Sequence, residues 1–154
     1  MKAVVQLRGE VDMAGDIKDT LEMLNVHEVN HCALVPETDS YTGMLTKVND
    51  YVAMGEPSED VLATVLSKRA EPLEGDADVD GEYLAEHTDF EDFEGLAAAL
   101  IAEETTLRDQ GLAPCLRLHP PRKGHDGIKH PTQESGQIGK HSTGDIDGLL
   151  KAMR

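Results

Sequence analysis

The sequence predicts an α/β fold, and three features predict it: short β-rich apolar runs, intervening segments with apolar residues at helical spacing, and turn residues between them. Ala3, Val4, Val5, Gln6, Leu7 and Arg8 form the first such run, ended by Gly9. Asp12 then opens a segment whose Ile17, Leu21 and Leu24 recur on one helical face. A second apolar run over 29–36 contains Cys32, Ala33, Leu34 and Val35, and the turn-like 37–40 follows. Leu45, Val48 and Val52 then mark another helical face, which Gly55-Glu56-Pro57 breaks. The first 55 residues therefore read β-α-β-α.

Ser58, followed by Glu59 and Asp60, suits the cap and first turn of a helix running to about Lys68. Residues 69–73 read as an edge strand, and the rest of 70–81 is too acidic and broken for core. Leu96, Leu100 and Ile101 belong to a helix expected over 95–110, with Gly111 as its stop. The next strand is expected over 112–118, because Pro120 and Pro121 cannot continue a ladder. Residues 119–144 carry five glycines and few large apolar side chains, so they read as an extended segment with little core of its own. A short helix over 145–153, carrying Ile146, Leu149 and Leu150, closes the chain.

Charge divides the 154 residues unevenly. Residues 1–70 carry a net −6, residues 71–113 a net −13 and residues 114–154 a net +3, giving −16 in all. With 39% hydrophobic residues in a periodic pattern, the acidity points to a high-salt environment rather than to disorder. At molar salt the screening length falls to roughly 3 Å, so surface carboxylates repel one another little, and contacts of Lys and Arg with phosphate weaken too. Folding is accordingly expected to require salt. There is no signal-like leader and no apolar run of the roughly 20 residues a spanning helix needs. A cytoplasmic, reduced protein is expected, with no membrane partner.

Arg117, Arg122, Lys123, Lys129 and Lys140, interleaved with glycine and histidine, form the one segment where the residue types suggest chemistry. Glycine lets backbone N–H groups approach phosphates, and the cations neutralise them. The opposing reading is a solvated loop, yet irregular segments of this length in small domains are usually functional or disordered. Cys115 with His119, His125 and His130 makes a poor zinc set: no Cys-x-x-Cys pair is present, and Cys115 lies in a strand pattern. Cys32, next to His31, points to the opposite face of a strand and reads as core rather than as a nucleophile. The carboxylates of 71–94 lack apolar neighbours to raise a pKa, and no phosphate-binding glycine loop or catalytic triad motif is present. No enzyme activity, cofactor or metal is expected.

Four stretches in order resemble one family. They are Val4-Val5-Gln6-Leu7-Arg8-Gly9; Asp19-Thr20-Leu21 through Met23-Leu24 to Val29-Asn30-His31-Cys32 and Val35-Pro36; Tyr41 through Gly43-Met44-Leu45, Lys47-Val48 and Asp50-Tyr51-Val52 to Gly55-Glu56; and Leu116-Arg117-Leu118-His119-Pro120-Pro121-Arg122-Lys123-Gly124. Together they resemble large-subunit ribosomal protein L thirty in its longer archaeal form, whose eukaryotic relatives are called L seven, from a halophile. The resemblance covers nearly the whole chain and is thinnest over 71–94.

The resemblance implies a ferredoxin-like β-α-β-α-β core with added helices and an extended C-terminal segment. Residues 1–56 would be the core, 57–113 an acidic helical insertion, and 114–154 a returning strand, basic segment and terminal helix. It also implies large-subunit rRNA as partner, near 5S rRNA, together with neighbouring ribosomal proteins. RNA contact carries over to Arg8, Asn30, His31, Tyr41, Lys47, Arg117, Arg122, Lys123 and Gly124, and the basic segment adds Lys129 and Lys140. The long basic N-terminal extension of eukaryotic relatives is missing, so its contacts do not transfer. Nor does 12–16 carry the basic residues some relatives show before the first helix. The alternative is a free-standing ferredoxin-like regulatory domain, which needs a small-ligand pocket at its helix–sheet interface and has no use for 117–144.

Overall fold

A computed structural model describes residues 1–125 and 127–154. Five strands make one mixed sheet in the order β4-β2-β1-β3-β5. β1 (Lys2–Gln6) lies at its centre, antiparallel to both β2 (His31–Val35) and β3 (Val52–Gly55). β4 (Cys115–Arg117) adds antiparallel to β2, and β5 (Gly139–Lys140) adds parallel to β3.

Helices cover both faces, and the strand alternation sorts the side chains between them. Val4, Ala33, Val35, Val52 and Met54 face α1 (Gly15–Met23) and α2 (Asp39–Val48), where Leu21, Leu24, Leu45 and Val48 complete one core. Ala3, Val5, Cys32, Ala53 and Leu116 face the other way. There they meet α3 (Glu59–Arg69), α4 (Gly81–His87), α5 (Phe93–Ile101) and α6 (Thr143–Met153) through Leu62, Leu84, Leu96 and Ile146. Truncating such a fully buried Leu or Ile to Ala costs about 2–5 kcal/mol, a large share of the roughly 5–15 kcal/mol by which domains are stable, so both faces matter to folding.

The α/β class holds, and several expected elements are corrected. Val52 is the first residue of β3 and not the end of a helix; α2 stops at Val48. With both faces of the sheet buried, Val52-Ala53-Met54 has no polar alternation to reveal a strand. Of residues 69–73, Arg69 ends α3 and the rest lie outside the sheet, where Pro72 bridges Leu112, flanked by Leu73 N–H to Gly111 O at 2.9 Å and Ala113 N–H to Glu71 O at 2.8 Å. The acidic loop contains α4, capped by Asp80, which accepts from Tyr83 N at 2.8 Å, and Val79 and Leu84 there are buried.

The helix expected over 95–110 begins earlier and ends sooner, because Asp92 caps α5 through Gly95 N at 2.7 Å and Glu103 takes φ +60°. The strand expected over 112–118 shrinks to β4. The terminal helix starts at Thr143, capped by Ser142.

Residues 119–144 are anchored at both ends. His119 N–H donates to Met153 O at 2.8 Å and Arg122 N–H to Ala152 O at 3.0 Å, at the C-terminal end of α6. At the far end Ile138 is buried and His141 N–H donates to Met54 O at 2.7 Å. Between them, a single 3₁₀ turn (Thr132–Glu134) sits beside a tight crossing: a Cβ on Gly136 would run into the His130 carbonyl. The segment has little core, as expected, yet it is more structured than its sequence implies: besides the two anchors, Gln137 N–H donates to Gly127 O at 2.8 Å and Ile138 N–H to His130 O at 3.2 Å, and Ile128 and Ile138 pack against the main core.

Candidate nucleic-acid interface

The topology gathers several of the singled-out residues at one end of the sheet. β1 ends there with Arg8 just beyond it, β2 begins there with Asn30 and His31, and β4 ends there with Arg117 opposite His31. α2 runs back to the same end, carrying Lys47 in its last turn. Since 119–122 continues from β4 to the end of α6, Arg122, Lys123 and Gly124 follow directly from this end. Tyr41 belongs elsewhere, in the first turn of α2 at the opposite end of β2. Lys140 also lies towards that opposite end, paired in register with Met54, and Lys129 is exposed in the middle of the extension.

The sheet-end cations are held by the protein itself. Arg117 sends Nε and Nη2 to the same oxygen of Glu71, at 2.9 and 2.7 Å. Lys47 lies 3.3 Å from the Asp16 carboxylate in the first turn of α1. Arg8 donates to the Asp50 carbonyl at 3.3 Å and stands 5.3 Å from the centre of the Tyr51 ring, within cation–π reach. Asn30 takes φ +72°, a left-handed geometry that Asn tolerates, which lets its carbonyl accept from Leu118 N at 3.1 Å and its N–H reach Gln6 O at 2.9 Å. It thus ties β4 to β1 across the start of β2.

His31 is half-buried beside Glu28, 4.0 Å away, and His27. Its pKa is lowered from the ordinary 6.5, first by burial, with Glu28 opposing and His27 and Arg117 adding to the shift.

The extension's cations differ. Among the described residues, Arg122, Lys123, Lys129 and Lys140 form no ion pair, and all four are exposed. Lys123 and Gly124 both take positive φ, at +69° and +77°. Their turn lines one wall of a cleft of about 510 Å³ whose opposite wall is α6. His125 Nδ1 meets Gln137 Oε1 at 2.5 Å, and His141 Nε2 donates to the Gln137 carbonyl at 2.7 Å, so Gln137 is the post on which two histidines hang.

Sequence reasoning missed Glu71, Asp16, Asp50 and Gln137 as partners. Each lies far along the chain from the residue it holds or in a segment with no pattern of its own, and only the fold joins them.

Burial raises the Cys32 thiol to about 12 and the Cys115 thiol to about 11, which removes both as nucleophiles at neutral pH. Among the described residues no cluster of three or more His, Cys, Asp or Glu could hold a metal, and no helix is long and apolar enough to cross a membrane. The 510 Å³ cleft is lined by the arm and α6, a 520 Å³ cavity by the end of α3, the acidic loop and Arg117 of β4, and a 380 Å³ one by residues that include Met23 of α1, Leu34 of β2 and Tyr41 of α2.

The fold is thus an α/β scaffold that carries cations at one end of its sheet and along an extended arm. Comparison with known proteins is specific. The family model of ribosomal protein L30p/L7e matches residues 2–52. "Large ribosomal subunit protein uL30" of Haloarcula marismortui is 71% identical over all of both chains. The proteins of the same name from Halobacterium salinarum and Haloquadratum walsbyi are each 64% identical, again over all of both chains. The chain belongs to the ribosomal protein L30p/L7e family, in its halophilic archaeal form, and is a ribosomal protein rather than an enzyme.

Proposed function

We propose that this chain is a structural constituent of the large ribosomal subunit that binds large-subunit rRNA near 5S rRNA and holds its fold together. The observation that carries the reading is the continuity of Arg8, Asn30, His31, Lys47 and Arg117 at one sheet end with Arg122, Lys123 and Gly124 in the arm that leaves it. Lys129 and Lys140 extend the same chemistry along the arm, and Tyr41 contributes from the opposite end of the sheet. Neighbouring ribosomal proteins complete the surroundings.

In molar salt, phosphate contacts alone give little affinity, so shape and hydrogen bonding must carry much of it. A rigid sheet end with fixed side chains supplies the shape, and an arm whose Arg122, Lys123, Lys129 and Lys140 form no ion pair among the described residues supplies the charge. The test is competition between wild type and the Arg122→Glu, Lys123→Glu double variant for assembly into reconstituted large subunits. The variant is expected to be excluded; equal incorporation overturns the reading.

A further inference from the structure

Between the arm and α6 lies the 510 Å³ cleft, a size within the range of about 300–1,000 Å³ in which proteins enclose small ligands. Its floor is α6, where Gly144, Gly148 and Ala152 recur every four residues and so share one face. A Cβ placed on Gly144 or on Gly148 would meet nothing within 4 Å, so this face is bare. The floor spans about 12 Å at 1.5 Å per residue, roughly the length of one nucleotide.

The two ends of the cleft differ in charge. Arg122 lies at the C-terminal end of the floor, bonded to the Ala152 carbonyl, with Lys123 beside it. At the other end stands Asp145, in the first turn of α6, and among the described residues it forms no ion pair. Gln137 adds amide groups to the wall between.

A groove with cations at one end, a carboxylate at the other and a flat small-residue floor matches a molecule that is anionic at one end and rich in N–H and O–H donors at the other. A free phosphate would use only the first end, and a duplex would not enter. We propose that the cleft receives a single ribonucleotide extruded from the rRNA, its phosphate at Arg122 and Lys123, its base lying on the Gly144–Gly148–Ala152 face, and a ribose hydroxyl or base amine donating to Asp145. This rests on the rRNA-binding reading above and adds to it a pocket for one unstacked nucleotide, the form in which RNA offers its base edges to proteins. The unstacking it requires is least for a nucleotide already in a loop or bulge.

The test fills the cleft without touching its cations. Gly148→Phe places a ring over a floor that has room for its Cβ, and it removes a helix-interior glycine, so α6 should tolerate it. In subunits reconstituted in molar KCl, wild-type protein is expected to shield one nucleotide from base-modifying and 2′-hydroxyl-acylating reagents. The Gly148→Phe variant is expected to incorporate and leave that nucleotide as reactive as an unpaired one. Identical reactivity maps with equal incorporation overturn the proposal while leaving the rRNA-binding reading standing. Normal incorporation of the Arg122→Glu, Lys123→Glu variant would instead defeat that reading.

Should Gly148→Phe fail to incorporate, the free full-length protein decides. Its Gly144 and Gly148 amide resonances are titrated with each ribonucleoside monophosphate and, separately, with inorganic phosphate. Shifts with nucleotides beyond those with phosphate sustain the pocket; equal shifts with phosphate alone, or none with either, overturn it.

Discussion

The sheet end and the arm both carry cations, yet they hold them in opposite ways. At the sheet end Arg117 is tied to Glu71, Lys47 to Asp16 and Arg8 to the Asp50 carbonyl and Tyr51 ring. In the arm, Arg122, Lys123, Lys129 and Lys140 form no ion pair among the described residues. The difference teaches how an acidic protein can present positive charge. Where the scaffold is rigid, carboxylates hold the guanidinium of Arg117 and the ammonium of Lys47 in place; along the arm no carboxylate does so among the described residues, which is what the proposed phosphate contacts require. Reversing Arg122 and Lys123 should therefore abolish assembly, whereas Arg117→Glu should only weaken it, since Arg117 already has an anionic partner. Competition assembly of the two variants side by side breaks the distinction if they fall equally.

A second large effect concerns the acidic regions. Residues 1–113 carry 26 carboxylates against 7 Lys and Arg, a net of −19. Lowering KCl lengthens the screening distance from roughly 3 Å at 1 M to about 10 Å at 0.1 M, and self-repulsion then opposes the compact state. Circular dichroism should show unfolding as KCl falls to millimolar levels, and a native spectrum there contradicts the expectation.

Between these extremes lies Gly136→Ala. Its Cβ would collide with the His130 carbonyl without altering any charge, so it should displace the arm, β5 included, while α3 and strands β1 to β4 stay folded. Amide exchange checks this: protection at Ile138 and His141 should fall while that of β1 to β3 persists. In the wild type the same measurement should find protection at the anchored residues and little in 123–125 and 127–130, where among the described residues only the Gly124 N–H donates to a backbone carbonyl. Protection of the whole segment as strong as that of the central strands would show a packed structure the arm is not expected to have.

The fold was legible where a pattern is local. Ala3 to Leu7, the helical face of Ile17, Leu21 and Leu24, and the Ser58 cap all did what their spacing implied. It was illegible where burial on two faces erased alternation, as in β3, or where one Leu and one Val hid a helix in acidic sequence, as in α4. The arm's residual structure depends on Ile138 and on strand pairing with β3, a partner more than eighty positions away that no local reading supplies. Of the candidate interface, residue types pointed to Arg117, Arg122, Lys123, Lys129 and Lys140, whereas Arg8, Asn30, His31, Tyr41 and Lys47 came only from the family resemblance. That Arg8, Asn30, His31, Lys47 and Arg117 share one end of the fold depends on antiparallel strand order, and that Arg117 and Lys47 are already paired depends on Glu71 and Asp16, which look like any other carboxylates in so acidic a chain.

A smaller effect should come from Glu71→Gln. Removing the anion frees Arg117 for a phosphate, so binding should strengthen and its salt dependence steepen by up to one contact, about 0.7–0.9 in the slope of log K against log salt. Weaker binding would mean that Glu71 positions Arg117 rather than competing for it. Either answer sharpens the contrast with the arm, where no such carboxylate intervenes among the described residues.

The smallest expected effect belongs to His31, which sits at the sheet end beside Arg117 and is half-buried. Its pKa in the folded protein lies below the ordinary 6.5, chiefly because burial disfavours the charged ring. The folded state therefore binds fewer protons than the unfolded one between those two values. The stability that neutral His31 contributes is full above the ordinary value and is lost as pH falls through the folded value. Protonation would also put a second positive charge beside that of Arg117, with Glu28 the nearest compensation at 4.0 Å. Chemical denaturation of wild type and His31→Gln in molar KCl, from about pH 8 to about pH 5, should thus give curves that converge as the pH falls, the wild type losing more of its stability. Titrating groups far from His31 are common to both proteins and cancel in the difference. Parallel curves would mean that His31 keeps its unfolded pKa and that the sheet end is more open to water than its geometry indicates.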